Sequence, residues 1–200
     1  VIIADSEKNA NLCYATRFLA PDAFVLIQTG GRRLLVMSDL ELDRAKAQAR
    51  VDEVLSFSKL SQQIKQRGNA SVDLLDVVDE VLKAHTVKTI EVPTDFSVQH
   101  ADGLRRLGYT VQPLPEPFFP ERMIKSEEEI RLIVQTLRTT EDALATAIEI
   151  IRNSEITPDG TLWIGGKPLT AELLRKAMHL TMMERDCVAQ HTIVACGIQG

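Results

Sequence analysis

The sequence predicts an α/β fold in three layers, with a mixed sheet between helices, over the first 112 residues. Short apolar runs typical of strands alternate there with amphipathic segments typical of helices. Strands joined through helices need crossover connections, which cover both faces of a sheet. Two apolar runs that flank Gly30-Gly31 predict a hairpin, which adds an antiparallel edge. The sheet should therefore contain both parallel and antiparallel strands.

Local composition predicts the individual elements of this region. Strands are expected at 24–29, 34–37, 51–57, 88–92 and 109–112, and helices at 40–49, 58–67, 72–84 and 98–107. Ser38 and Asp39 are candidate caps for the first of these helices, since short polar side chains satisfy free amides at a helix start. Gly108 is expected to end the last helix.

The composition of the chain changes between residues 113 and 126, where a proline-rich stretch leads into a helix-capping motif. Four prolines lie within positions 113–120, and proline fixes φ and removes a backbone donor, so an extended tether is predicted. Ser126 and Glu129 then match a capping box, which predicts the start of a long helix. We therefore expect a first domain over 1–112, a proline-rich linker over 113–125 and the start of a second domain over 126–200.

The predicted helix after the linker runs to about Arg152 and carries a long apolar stripe. Its members are Ile130, Ile133, Val134, Leu137, Leu144, Ile148 and Ile151. Such a stripe needs a large surface to cover it. A hairpin or loop over 161–169, a helix over 171–185 capped by Thr170 and a strand over 191–196 are also predicted. These elements do not close a domain, so the second unit is expected to be cut off mid-fold.

Composition narrows the class of protein. The 200 residues are 44% apolar and 26% charged, which is typical of a globular chain with a packed core. The net charge of −5 argues against a nucleic-acid or anionic-membrane partner. No apolar run is long enough to span a bilayer, and the first four residues are too short for a secretory segment.

Cysteine usage favours a reducing compartment. Cys13, Cys187 and Cys196 are an odd number and have no CxxC spacing, so a disulfide framework is not expected. Each is expected to be a small buried apolar residue, because free cysteine is among the most buried residue types. A cytoplasmic location follows as the expectation.

Three segments resemble landmarks of the creatinase/prolidase/aminopeptidase P family. Residues 122–130, with Arg122, Lys125 and Glu129-Ile130, resemble the Arg-x-x-Lys-x-x-x-Glu-Ile junction between the two domains of that family. Residues 11–18 resemble an Asn-x-x-Tyr-x-Thr-Gly-Phe stretch, with Arg17 where glycine is usual. Residues 191–197 resemble an Asp-Thr-Ile-Val-Ala-Ser-Gly strand, in which His191 and Cys196 replace Asp and Ser.

The resemblance implies a creatinase-like N-terminal domain followed by the beginning of a pita-bread metallopeptidase domain of α+β type. It implies hydrolysis of peptide bonds next to proline, in short peptides, by an aminopeptidase P or prolidase type of enzyme. It also implies a homodimer, in which the N-terminal domain serves dimerisation and restricts substrate size. Two divalent metal ions (Mn, Co or Zn) are expected, held by two Asp, one His and two Glu that follow the third landmark.

No catalytic, cofactor-binding or metal-binding residue can be assigned within these 200 residues, so the segment alone is expected to be inactive and free of metal. The histidines are scattered, and no HExxH motif or Cys/His cluster is present. His179 is expected to be a surface or capping residue, and His191 an ordinary half-buried strand residue.

Two other functions remain open. The departures at the landmarks allow a non-catalytic peptide- or protein-binding relative with the same two-domain body. A creatinase-like C–N hydrolase would use that body without metals. The presence or absence of the five metal ligands downstream separates the metallopeptidase from both.

Overall fold

The computed structural model describes residues 1–69 and 71–197. The chain divides into two compact units, Val1–Met123 and Ile124–Gly200. None of the helices in the described ranges is long and apolar enough to cross a lipid bilayer.

The first unit contains a four-stranded sheet and a two-stranded sheet. The larger sheet has the order β1 (Ile2–Ala4), β2 (Phe24–Thr29), β3 (Arg32–Met37) and β4 (Glu53–Ser56). Its first three strands pair antiparallel and β4 pairs parallel to β3, so the predicted mixed sheet is confirmed. The smaller sheet is a parallel pair, β5 (Thr89–Val92) and β6 (Thr110–Pro113).

Five helices accompany these strands: α1 (Ala10–Thr16), α2 (Leu42–Gln48), α3 (Phe57–Gln66), α4 (Leu74–Ala84) and α5 (Val98–Arg106). The helices predicted from composition are present, with ends that differ by a few residues. Strand β1 and helix α1 were not predicted. Asn9 starts α1, because its side chain accepts a hydrogen bond from the Leu12 amide at 2.8 Å.

Separate cores lie on the two faces of the larger sheet, which makes the first unit a three-layer α/β/α structure. Along β2, Val25 and Ile27 enter one core with residues of α4 and α5, whereas Leu26 enters the other with residues of α1 and α2. Side chains alternate between faces along a strand. A strand covered on both faces therefore reads as a continuous apolar run, as Phe24–Ile27 does.

The predicted caps of α2 are wrong. This helix begins after Glu41 and has no side-chain cap. Asp39 instead accepts a hydrogen bond from the Ser56 hydroxyl at 2.6 Å, and the Ser56 oxygen accepts one from the Lys59 amide at 3.1 Å, which caps α3. Hydrogen bonds from Ser56 and Ser58 lower the pKa of Asp39 below its ordinary value. A tertiary contact has therefore displaced the local capping role of Asp39.

The proline-rich segment is not the extended tether that we predicted. Phe118 and Phe119 are half-buried and pack against the core that contains Leu26. A 3-10 helix, Pro120–Met123, follows. Burial of these two aromatic side chains holds the segment against the first unit. The segment up to Met123 thus belongs to the first compact unit, while the assignment of separate domains over 1–112 and 126–200 stays a prediction.

The second unit contains helix α6 (Glu127–Arg152), a small sheet and helix α7 (Ala171–Met183). Its strands β7 (Glu155–Ile156), β8 (Leu162–Ile164) and β9 (Lys167–Pro168) are antiparallel, and the predicted hairpin turns at Gly165-Gly166. The capping box of Ser126 and Glu129 at the start of α6 is confirmed, as is the cap of α7 by Thr170.

The apolar stripe of α6 is exposed. Helix α7 packs against another face of α6, where the buried residues are Thr139, Ala143 and Ala147. These small side chains let the two helix backbones approach closely. All seven predicted stripe residues are at least 40% exposed, together with Leu132. Within the described part of the chain, the surface that we expected to cover this stripe is not present.

The predicted strand over 191–196 is also wrong. Between Glu184 and Gly197 the described chain contains no strand, and His191 has a left-handed backbone with φ of 56°. A strand is stabilised by pairing with a neighbour, and the described residues provide none beside this segment. Ile193 is correspondingly 88% exposed.

Candidate functional site

Two of the three resembling segments meet in the first unit. Asn11, in the first turn of α1, is buried, and its side-chain oxygen accepts a hydrogen bond from Arg122 Nη1 at 2.5 Å. A hydrogen bond to a charged donor is stronger than one between neutral groups. The contact ties the 3-10 helix at the end of the first unit to its opening helix.

Aromatic residues lie within a few positions of both partners of this contact in the sequence. The rings of Tyr14 and Phe119 lie 6.0 Å apart, and those of Phe118 and Phe119 lie 5.0 Å apart in an edge-to-face arrangement. Such pairs contribute roughly 0.5–1.5 kcal/mol each beyond the burial of their area. We call Asn11, Tyr14, Phe118, Phe119 and Arg122 the junction cluster.

Arg17 occupies the backbone position at which the resembling family carries glycine. It is the C-cap of α1 with φ 51° and ψ 28°, and its amide donates to the Cys13 carbonyl at 2.8 Å. Glycine adopts this left-handed conformation at little cost, whereas other residues are strained there. The Arg17 guanidinium carbon lies 4.8 Å from the centre of the Tyr14 ring, where a cation–π interaction offsets part of that strain. The local turn, which the substitution left in doubt, is therefore formed.

The junction cluster is suited to holding parts of the fold together and not to breaking bonds. It supplies one amide, one guanidinium and three aromatic rings, and it contains neither a nucleophile–base pair nor a pair of carboxylates. Sequence reasoning singled out Asn11, Tyr14 and Arg122 as parts of family landmarks but did not predict that they touch.

The four histidines lie in different surroundings. His179 Nε2 lies 3.0 Å from Thr192 Oγ1, and His191 is exposed. His191 is therefore not the half-buried strand residue that we expected. His85 is exposed on the C-cap of α4, and His100 packs beside the ring of Phe96.

Among residues 1–69 and 71–197, no group of three or more His, Cys, Asp and Glu side chains is arranged to hold a metal ion. The side chains that the structure describes thus do not fit the dinuclear metal centre implied by the resemblance. The expectation that its ligands lie elsewhere in the intact protein stays an expectation.

All three cysteines are free thiols, but they are not the buried apolar residues that we predicted. Cys13 and Cys187 are half-buried, and Cys196 is exposed. Cys13 lies on α1, next to Tyr14 of the junction cluster. Its backbone carbonyl accepts the hydrogen bond from the Arg17 amide.

A cavity of about 530 Å³ lies in the first unit beside the start of β1. No sequence pattern predicted it, because its walls come from residues far apart in the chain. Strands β1, β2 and β5 and the segment around Phe118 and Phe119 line it.

Solved structures of X-Pro peptidases have a fold similar to that of this chain. The mixed α/β fold of this chain matches that of the N-terminal domain of X-Pro peptidases. The X-Pro aminopeptidase from Thermotoga maritima MSB8 aligns with 92% of this chain at a TM-score of 0.68 and 18% identity. The Xaa-Pro dipeptidase from Bacillus anthracis aligns with 89% at a TM-score of 0.63 and 14% identity, and the prolidase from Pyrococcus furiosus with 87% at 0.58 and 18%.

The chain spans less than half the length of these structures: 45% of the Thermotoga protein, 43% of the Bacillus protein and 44% of the Pyrococcus protein. No protein-family model matches the sequence, and no curated protein matches it at a significant level. At these identities the likeness establishes the fold.

Proposed function

We propose that the intact protein is an Xaa-Pro metallopeptidase of aminopeptidase P or prolidase type, which hydrolyses peptide bonds next to proline in short peptides. The observation that carries this proposal is the fold match over 92% of the chain to an X-Pro aminopeptidase. The contact between Asn11 and Arg122 supports it, because these residues belong to two separate landmarks of the resembling family.

In this proposal the first unit is a non-catalytic domain. It would serve dimerisation and restrict the active site to short peptides, and the junction cluster would hold the end of this unit in a fixed position. The proposed homodimer follows from the family resemblance alone. The free thiols support the proposed cytoplasmic location, and the net charge of −5 supports the absence of nucleic-acid or anionic-membrane partners.

The catalytic part is proposed to use two divalent metal ions, Mn, Co or Zn. No side chains of the described residues fit these ions, so no step of the reaction can be assigned to a residue of this segment. The segment alone is therefore proposed to be inactive. The exposed stripe of α6 supports a larger catalytic body, because eight large apolar side chains on one helix favour burial against further structure.

The test is to read the coding sequence past the codon for Gly200, to express the protein with any residues encoded there, and to assay it with Mn²⁺ or Co²⁺. We expect cleavage of a dipeptide Xaa-Pro or of a short peptide with proline in second position, and loss of cleavage after treatment with a chelator. The same peptides with alanine in place of proline serve as the matched substrates. Residues 1–200 alone are expected to be inactive on all of them.

Two results would overturn the proposal. One is a continuing frame that lacks two Asp, one His and two Glu in the expected order. The other is a folded, metal-loaded protein that leaves all proline peptides intact. Sedimentation of the intact protein would give its mass in solution, and comparison of that mass with the mass of one chain would test the proposed homodimer independently.

A second candidate is a non-catalytic peptide- or protein-binding relative. The departures at His191 and Cys196 favour it, because these positions carry Asp and Ser in the resembling family. Binding of proline-containing peptides without turnover by the intact protein would support this candidate. Metal-independent C–N hydrolysis of creatine would instead support the creatinase-like alternative.

A further inference from the structure

Strand β4 forms one edge of the larger sheet. It pairs parallel with β3, with Val54 opposite Leu35, and no strand of the described residues pairs with its other side. An unpaired edge presents free amides and carbonyls, to which an extended chain can add as a further strand.

The turn between β2 and β3 determines which residues of β3 bond to β4. Thr29 and Arg32 flank this two-residue turn and bond to each other across it. Because the bonding side alternates along a strand, Arg33 and Leu35 face β4. The Arg33 carbonyl accordingly accepts a hydrogen bond from the Asp52 amide at 2.9 Å.

The same alternation places the peptide groups of Val54 on the open edge. In a parallel pair, a residue bonds to the two neighbours of the residue opposite it, so Leu35 faces the backbone of Glu53 and Leu55. The amide and the carbonyl of Val54 therefore point away from β3. One residue of an extended segment can pair with them through two hydrogen bonds.

Strand β6 has an outer edge of a different kind. The amides of Thr110 and Leu114 donate to carbonyls of the β5 side at 3.0 and 2.9 Å, so Pro113 faces outward. Proline has no amide to offer, and proline on an edge strand discourages further pairing. Strand β4 has no proline, so its edge keeps both the donor and the acceptor.

A groove of about 230 Å³ lies along β4 between α2 and α3. Its apolar lining consists of half-buried residues from all three elements: Leu42, Val54, Leu55 and Leu60. The volume is below the roughly 300–1,000 Å³ of pockets that hold drug-sized molecules. The groove is therefore suited to a side chain of a docked segment.

The charges at this groove are positive, although the whole chain has a net charge of −5. The exposed Lys46 and Lys59 line it, and its described lining contains no carboxylate. Each lysine has an acidic neighbour outside the lining: Asp43 lies 3.8 Å from the Lys46 ammonium, and Asp39 lies near Lys59. The Asp43 side chain is fully exposed, so solvent screens its pair. The groove is thus complementary to negative charge.

From this geometry we propose that the open edge of β4 binds an extended, acidic segment of a partner protein, which adds to the larger sheet as a further strand. An apolar residue of the segment would lie opposite Val54, on the face of Leu42, and its acidic neighbours would lie on the face of Lys59. A second copy of this chain fits less well, because it would bring its own lysines to the same edge. This inference goes beyond the proposed enzymatic function and does not depend on it.

The experiment uses the intact protein and a labelled peptide, acetyl-Thr-Glu-Val-Glu-Thr-amide. Fluorescence anisotropy measures binding, and mass spectrometry measures amide hydrogen exchange in the fragment that contains Glu53–Ser56. One control peptide has lysine in place of both glutamates, and another has an N-methylated valine, which cannot donate to Val54. The protein variants are Lys59→Glu and, as the matched control on the same helix, the exposed Lys65→Glu.

We expect the acidic peptide to bind and to slow exchange in Glu53–Ser56. Lys59→Glu should weaken binding about tenfold, because like charges then meet, whereas Lys65→Glu should leave it unchanged. Neither control peptide should bind. The proposal is overturned if the acidic peptide does not bind, if either control peptide binds as well, or if the two variants behave alike. Protection of Glu53–Ser56 that rises with protein concentration, without peptide, would assign the edge to a second copy and also overturn it.

Discussion

Arg122 and Asn11 are 111 residues apart in the chain, yet Arg122 Nη1 donates a hydrogen bond of 2.5 Å to the buried side-chain oxygen of Asn11. Asn11 lies in α1, between the first two strands of the larger sheet, and Arg122 follows β6, the last strand of the first unit. The bond therefore connects the two ends of that unit, and it gives a physical reason for two distant landmarks to occur together.

A double-mutant cycle should detect this connection. Arg122→Ala and Asn11→Ala are each expected to destabilise the chain, and the cycle should give a coupling energy of about 1–3 kcal/mol, because the bond is partly buried and charge-assisted. The cycle is needed because Arg122 makes further interactions that a single substitution also removes. Urea unfolding of the four proteins provides the measurement.

The exposed pair of Arg105 and Asp102, three residues apart on α5, is the matched control. Its cycle should give only about 0.2–0.5 kcal/mol, because solvent screens the pair. Equal coupling energies in the two cycles would contradict a structural role for the Asn11–Arg122 bond.

Arg17 offers a test of the left-handed cap of α1. We expect Arg17→Gly to unfold at a higher temperature than Arg17→Ala, with a difference of about 1 kcal/mol in the free energy of unfolding. Both variants lose the guanidinium over Tyr14, so the comparison isolates the Cβ atom at a φ of 51°. If the alanine variant proves as stable as the glycine variant, the cap geometry described above is incorrect.

Gly103 lies where helices α4 and α5 approach closely. A Cβ atom at this position would lie 2.1 Å from Leu75 Cδ1. Gly103→Ala should therefore destabilise the chain by about 1 kcal/mol, since overpacking outweighs the gain in helix propensity. In a Leu75→Ala background the same substitution should become stabilising. Chemical denaturation of the four proteins shows whether the sign changes, and an unchanged sign would refute the close contact.

Small residues, and not the apolar stripe, form the contact between α6 and α7. Ala147 is 6% exposed and Ile133 is 52% exposed. Ala147→Leu should cost about 1–3 kcal/mol in the 200-residue chain through overpacking. Ile133→Ala should change its stability by no more than about 0.5 kcal/mol. Thermal unfolding compares them, and a larger loss at Ile133 would mean that the stripe is covered within this segment.

In a 200-residue chain that has its free amino group at Val1, the buried ammonium predicts a dependence of stability on pH. Its pKa is about 6 in the folded chain and 8.0 as its ordinary value. Between these values the unfolded chain holds more protons, so the stability should rise from pH 6 to pH 8 and level off above. Chemical denaturation at several pH values measures the slope. Acetylation of Val1 should remove this part of the slope, and identical profiles for the two forms would contradict the burial of the ammonium.

Much of the local structure could be predicted because its causes lie within a few residues. The Gly30-Gly31 turn, the capping box of Ser126 and Glu129, and the cap by Thr170 all depend on neighbouring backbone groups. The predicted mixed sheet, covered on both faces, was confirmed because the alternation of apolar runs with amphipathic segments is also a local pattern. Strand β1 was missed because three residues give too short a pattern.

The failures have a common cause in contacts between distant residues. Asp39 was expected to cap α2, but it accepts a hydrogen bond from Ser56 at the end of the neighbouring strand β4. The prolines predicted an extended tether, but Phe118 and Phe119 of this segment pack against the core that contains Leu26. The strand predicted at 191–196 is not formed, because pairing needs a partner and the described residues provide none beside it.

The sequence by itself determined where most helices and strands lie, which residues cap α6 and α7, and that the sheet is mixed, because these depend on side-chain periodicity and on bonds between near neighbours. Only the tertiary structure decided that Asn11 meets Arg122, that Ala147 and not Ile133 faces α7, and that a cavity lies between β2 and β5. These features depend on contacts between residues that are far apart in the sequence, and a pattern within a few residues carries no information about such contacts.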